Sequence, residues 1–72
     1  MSKLINDLVG KQCIIRSEFI FSFAGKTELS CKIIDADDEW IKICYTEKKD
    51  KQVVKLMRIE NIESIEEQSV LF

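Results

Sequence analysis

Leu29-Ser30-Cys31-Lys32-Ile33 and Trp40-Ile41-Lys42-Ile43-Cys44-Tyr45 are the two stretches that decide the fold. In each, an apolar residue recurs at every second position: Leu29, Cys31 and Ile33, then Ile41, Ile43 and Tyr45. Side chains of a strand alternate between faces, so this period describes two half-buried strands. The polar interval Asp35-Ala36-Asp37-Asp38 is the turn that joins them. Downstream, Glu47-Lys48-Lys49-Asp50-Lys51 reads as a charged hairpin loop, 53–59 as a fourth strand, and 62–65 as a short fifth. Upstream, Cys13-Ile14-Ile15-Arg16 opens a first strand rich in β-branched residues. The alternation of Phe19, Phe21 and Phe23 predicts that this strand continues to the glycine-containing turn at 24–27.

The pattern before residue 10 is helical. Leu4, Ile5, Leu8 and Val9 share one face of a helix predicted over 3–9, with Ser2 as its N-cap and Gly10 as its left-handed end. Two turns of helix are not stable alone, so this one must dock. A short helix followed by several short strands separated by turns predicts a mainly β domain, a small five-stranded barrel.

The 72 residues leave room for one domain, expected over 1–66, with a tail at 67–72 ending in Val70-Leu71-Phe72. With 46% hydrophobic residues, no proline and two glycines, the composition is that of a packed chain without a linker. A chain this short buries only about 60% of its unfolded surface, and disulfides, metals or oligomerisation commonly make up the deficit. Cys13, Cys31 and Cys44 are odd in number and widely spaced among apolar neighbours. They read as free, buried, small hydrophobes, because structural zinc takes four ligands in close pairs and histidine is absent.

No stretch is long enough to span a bilayer and no secretory leader pattern is present, so the expected location is the cytoplasm, away from membranes. The net charge of −2 argues against a general nucleic-acid binder. The carboxylates at 35, 37, 38 and 39 lack the glycine and spacing of a calcium loop and read as a solvated turn. No catalytic pair, metal set, cofactor motif or small-molecule substrate site stands out, so the chain is not expected to be an enzyme.

The order of elements resembles the Sm-like family, a strongly bent antiparallel SH3-type barrel with a short N-terminal helix. The likeness spans roughly residues 4–66. Leu4 with Leu8-Val9-Gly10-Lys11 and Cys13 is similar to that family's helix end and first strand. Residues 34–41 occupy the place of its first motif, and Met57-Arg58-Ile59-Glu60-Asn61-Ile62 parallels its second, with Arg58, Asn61 and Ile62 matching. Two departures bear on function. Ile59 stands where the family has glycine, and Glu39 or Ile41 stands where it has asparagine in the first motif.

The resemblance implies candidate RNA contacts at Trp40, Met57, Arg58 and Asn61, and an oligomer, ring or dimer, joined by edge strands carrying Val53, Leu56, Ile59, Ile62 and Ile65. A carboxylate in the first motif repels phosphate, so RNA binding is expected to be weak. The leading expectation is a self-associating assembly or regulatory module. The alternatives are an RNA-binding ring, or a monomeric SH3-like module that binds peptide through Phe19, Phe21 and Phe23.

Overall fold

The computed structural model describes residues 3–68. It is mainly β: five antiparallel strands form one sheet in the order β4-β3-β2-β1-β5. These are β1 (Gln12–Arg16), β2 (Glu28–Ala36), β3 (Trp40–Lys48), β4 (Lys51–Arg58) and β5 (Ser64–Glu67), with short helices α1 (Lys3–Asn6) and α2 (Glu18–Ala24). The predicted N-cap Ser2 and the apolar residues 70–72 lie outside the described residues, and β5 runs through Glu67, into the stretch expected to be tail.

The alternation at 29–45 works as predicted. Leu29, Cys31 and Ile33 of β2 and Ile41, Ile43 and Tyr45 of β3 point into one core, joined by Cys13 and Ile15 of β1 and Met57 of β4. Burying these residues is the main favourable term available to the fold. Between β2 and β3, the Asp37 carboxylate accepts hydrogen bonds from the backbone N–H groups of Glu39 and Trp40 at 2.9 and 2.8 Å. The β3–β4 hairpin turns through Lys49 and Asp50, tighter than the five-residue loop expected, with Asp50 at φ 63°.

Two elements differ from expectation. The first helix ends at Asn6, and residues 7–10 continue as turns in which Leu8 and Val9 donate to Ile5 and Asn6. Gly10 has φ 88°, the left-handed geometry expected of it, and its N–H reaches the Ile33 carbonyl at 2.6 Å. The larger correction concerns Phe19–Phe23, which is helix α2 and not a continuation of β1. Local caps outweigh the period-two phenylalanines. Ser17 accepts from Phe19 N–H as N-cap, Glu18 sits in the first turn, and Gly25 closes the helix at φ 74°. Helical spacing then buries Ile20 and stacks Phe19 edge-on against Phe23, four residues on, at 5.7 Å between ring centroids.

Ser17 is wholly buried, and its hydroxyl also donates to the Asn61 carbonyl at 2.6 Å. One side chain thus ties α2 to the turn before β5. The fourth and fifth strands are joined by a 3-10 turn, Ile59–Asn61, so Ile59 and Ile62 lie beside the strands in which they were expected.

Candidate functional site

The residues assigned by sequence converge on the end of the sheet where β3 begins and β4 finishes. Trp40 opposes Arg58 across the β3–β4 ladder. The Arg58 guanidinium lies 5.2 Å from the Trp40 ring centroid, within cation–π range. It is also held between two carboxylates, Glu39 at 3.5 Å and Glu60 at 3.6 Å. The exposed Arg58 therefore faces local negative charge from both neighbouring turns.

The other two candidate RNA contacts are positioned differently. Met57 is wholly buried in the core and presents no side chain to a ligand. Asn61 is exposed, and lines a shallow concavity with Glu18, Phe19, Glu60 and Glu63. Three carboxylates around one amide disfavour a phosphate backbone. Ile59 does not reproduce the open backbone of a glycine. Its N–H donates to the Glu39 carbonyl at 2.8 Å, its carbonyl accepts from Ile62, and its side chain packs against the core. Among the described residues no cluster of His, Cys, Asp or Glu is arranged to hold a metal ion.

The phenylalanines do not form one surface. Phe23 turns inward, near the Tyr45 ring and beneath the Lys55 ammonium, 4.1 Å from its centroid. Phe19 is partly open and Phe21 is 60% exposed, and being two positions apart on a helix, about 200° of rotation, they point to opposite flanks.

The cysteines divide by face. Cys13 and Cys31 oppose one another across β1–β2 inside the core, whereas Cys44 lies half-buried on the outer face near Gln52. Burial pushes the Cys31 thiol up to about 12, with smaller contributions from its Cys13 and Cys44 neighbours.

The remaining feature is the free edge of β4. Of the five edge residues expected to face a neighbour, Val53, Ile59, Ile62 and Ile65 pack partly against the chain's own core, and Leu56 is exposed. Val54, which sequence reasoning passed over, is the most exposed apolar residue of this strand at 57%. Its signal was available: Val54 and Leu56 sit two apart, in phase with Gln52 and Arg58 on the polar face.

The backbone sharpens this picture. Ile59 N–H bonds to Glu39, and antiparallel pairs alternate between hydrogen-bonded and non-hydrogen-bonded rungs. Residues 53, 55 and 57 therefore bond to β3, and Gln52, Val54, Leu56 and Arg58 direct their N–H and C=O groups to the open edge. Comparison with family models, with curated proteins and with solved structures finds no match.

Among the described residues no helix is long and apolar enough to cross a membrane.

Proposed function

We propose that this chain is a non-catalytic, self-associating module of the Sm-like, SH3-type barrel kind, acting in assembly or regulation, with RNA binding weak. The observation that carries the reading is the eight-residue edge strand β4, with open backbone groups and the exposed side chains of Val54 and Leu56 on the same residues. An unprotected edge of this length is a template for another strand. No proline interrupts it, and its one mid-strand charge, Lys55, lies on the core-facing side over the Phe23 ring, leaving Val54 and Leu56 on the outer face. The short N-terminal helix and five antiparallel strands in the order β4-β3-β2-β1-β5 support the Sm-like reading, with α2 inserted between β1 and β2. The pairing of Arg58 with Glu39 and Glu60 supports weak RNA binding.

Light scattering coupled to size exclusion tests the association: a defined oligomer is expected at tens of micromolar chain, and a well-folded 8.4 kDa particle overturns it. A fluorescent uridine-rich oligonucleotide tests the second part. Little anisotropy change is expected at low micromolar protein and physiological salt. Tight, sequence-selective binding abolished by Arg58→Ala would instead establish an RNA-binding ring.

A further inference from the structure

We infer that the outer face of the sheet binds a basic, apolar segment of a partner protein. One apolar side chain sits between Trp40 and Leu56, and an arginine or lysine beside it meets the carboxylates of the β2–β3 turn. The site starts from one extra residue in β2. Ile33 pairs with Ile43, but the next rung pairs Asp35 with Lys42, so Ile34 is bulged out of the register. A bulge bends its strand and re-aims the side chains beside it. Asp35, Lys42 and Leu56 then stand abreast across β2, β3 and β4, with Trp40 one outward position before Lys42. Together with Asp37 of the turn they line a concavity of about 250 Å³.

Size and walls select the occupant. The volume is below the roughly 300–1,000 Å³ of small-molecule sites and suits a single side chain. Trp40 is 37% and Leu56 53% exposed, so an apolar group placed between them removes surface from water on both. A tryptophan at such a pocket is the usual kind of anchor for a protein partner. The rim then sets the partner's charge. A second concavity shares Ala36 and Asp37 with the first and continues onto Asp38 and Glu39. Carboxylates at 35, 37, 38 and 39 thus border the pair, against the single ammonium of Lys42. Arg58, beside the Trp40 ring, is itself matched by Glu39 and Glu60.

Two of these carboxylates have an oxygen to offer. Asp37 receives the N–H groups of Glu39 and Trp40 on Oδ1 alone, and Asp35 receives that of Ala36 on Oδ1. Each keeps Oδ2 for an incoming guanidinium or ammonium, while the phosphates of a nucleic acid are repelled. Strand addition at the β4 edge uses backbone groups in the plane of the sheet. This site lies on the face, so it does not depend on the association proposed above.

Trp40 is the only tryptophan, so its fluorescence reports the site directly. Acetylated, amidated Gly-Ser-Leu-Arg-Arg-Gly is titrated into the full chain at low ionic strength, beside one peptide with glutamates for the arginines and one with alanine for the leucine. A saturable change in Trp40 emission is expected with the first, and at least tenfold weaker binding with the other two. Combining Asp35→Asn with Asp37→Asn keeps both Oδ1 acceptors and removes the charge. Binding of the first peptide should then weaken at least tenfold, as it should in Leu56→Gln, with circular dichroism unchanged in both variants. The peptide comparison needs no substitution and so decides the matter even where a variant is unstable. Equal binding of the leucine and alanine peptides overturns the apolar seat, and equal binding of the glutamate peptide overturns the choice of a basic partner. No saturable change with any peptide at millimolar concentration overturns the whole inference. So would an emission change produced by a uridine-rich oligonucleotide at lower concentration than by the first peptide.

Discussion

Single side chains already carry testable chemistry. Cys31 is buried in the core opposite Cys13, and burial raises its thiol from the ordinary 9.0 to about 12. A group raised on folding contributes stability that is complete below its unfolded value and is lost as pH climbs towards the folded one. Stability should therefore fall between about pH 9 and 12 in the wild type, and fall less steeply in Cys31→Ala, as measured by urea denaturation. Thiol labelling at pH 8 should modify Cys44 first, with Cys13 and Cys31 reacting quickly only in denaturant. Rapid native reaction of all three would contradict the burial of the inner pair. Asp37 behaves in the opposite sense. The backbone N–H groups of Glu39 and Trp40 hold its carboxyl below the ordinary 3.8. Its contribution is present above that value and disappears as pH falls through the lower folded one. Asp37→Asn keeps the acceptor oxygen and removes the titration, so its melting temperature should vary less with pH in the acid range than that of the wild type.

At the scale of elements, α2 is the most informative piece. Ser17→Ala removes an N-cap and takes from the Asn61 carbonyl the hydroxyl donor that the buried Ser17 supplies. A loss of about 1–3 kcal/mol is expected in urea unfolding, more than a cap on an exposed helix would give. A loss below a few tenths would show that the tie between α2 and the 59–61 turn is not structural. The same element shows what sequence could and could not deliver. Strands β2 and β3 were legible because one face is buried and the other solvated, which writes the strand period directly into the residue types. Residues 19–23 carry two periods at once. Phe19, Phe21 and Phe23 spell a strand, while Ser17, Ile20, Ala24 and Gly25 spell a capped helix. Only the caps decide between them, and reading them needs both ends of the segment together. The candidate site was legible in part for a similar reason. Trp40 and Arg58 were found as residue types in a motif, but the carboxylates that surround Arg58 come from two turns that meet only in space.

For the whole molecule, the open edge of β4 decides between a lone domain and an assembly, and its alternation gives a way to separate association from folding. A proline at an outward position removes an N–H that no strand of the same chain uses, and edge strands tolerate it. One position further along, the same residue removes a bond to β3. Leu56→Pro should therefore keep the fold and abolish or greatly weaken self-association. Lys55→Pro should lower stability by about 1–3 kcal/mol, because it removes a donor from the ladder that β4 shares with β3 and leaves the facing carbonyl unpaired. Ile59→Pro is unsuitable for this comparison, since it cuts the bond from Ile59 to Glu39. The two informative variants are compared by circular dichroism, urea titration and light scattering at matched concentrations. A Leu56→Pro chain that is folded and monomeric shows that a second strand uses the backbone of this edge. A Leu56→Pro chain that is folded and as fully associated as the wild type would mean that the assembly is held elsewhere, with Val54 and Leu56 left facing solvent.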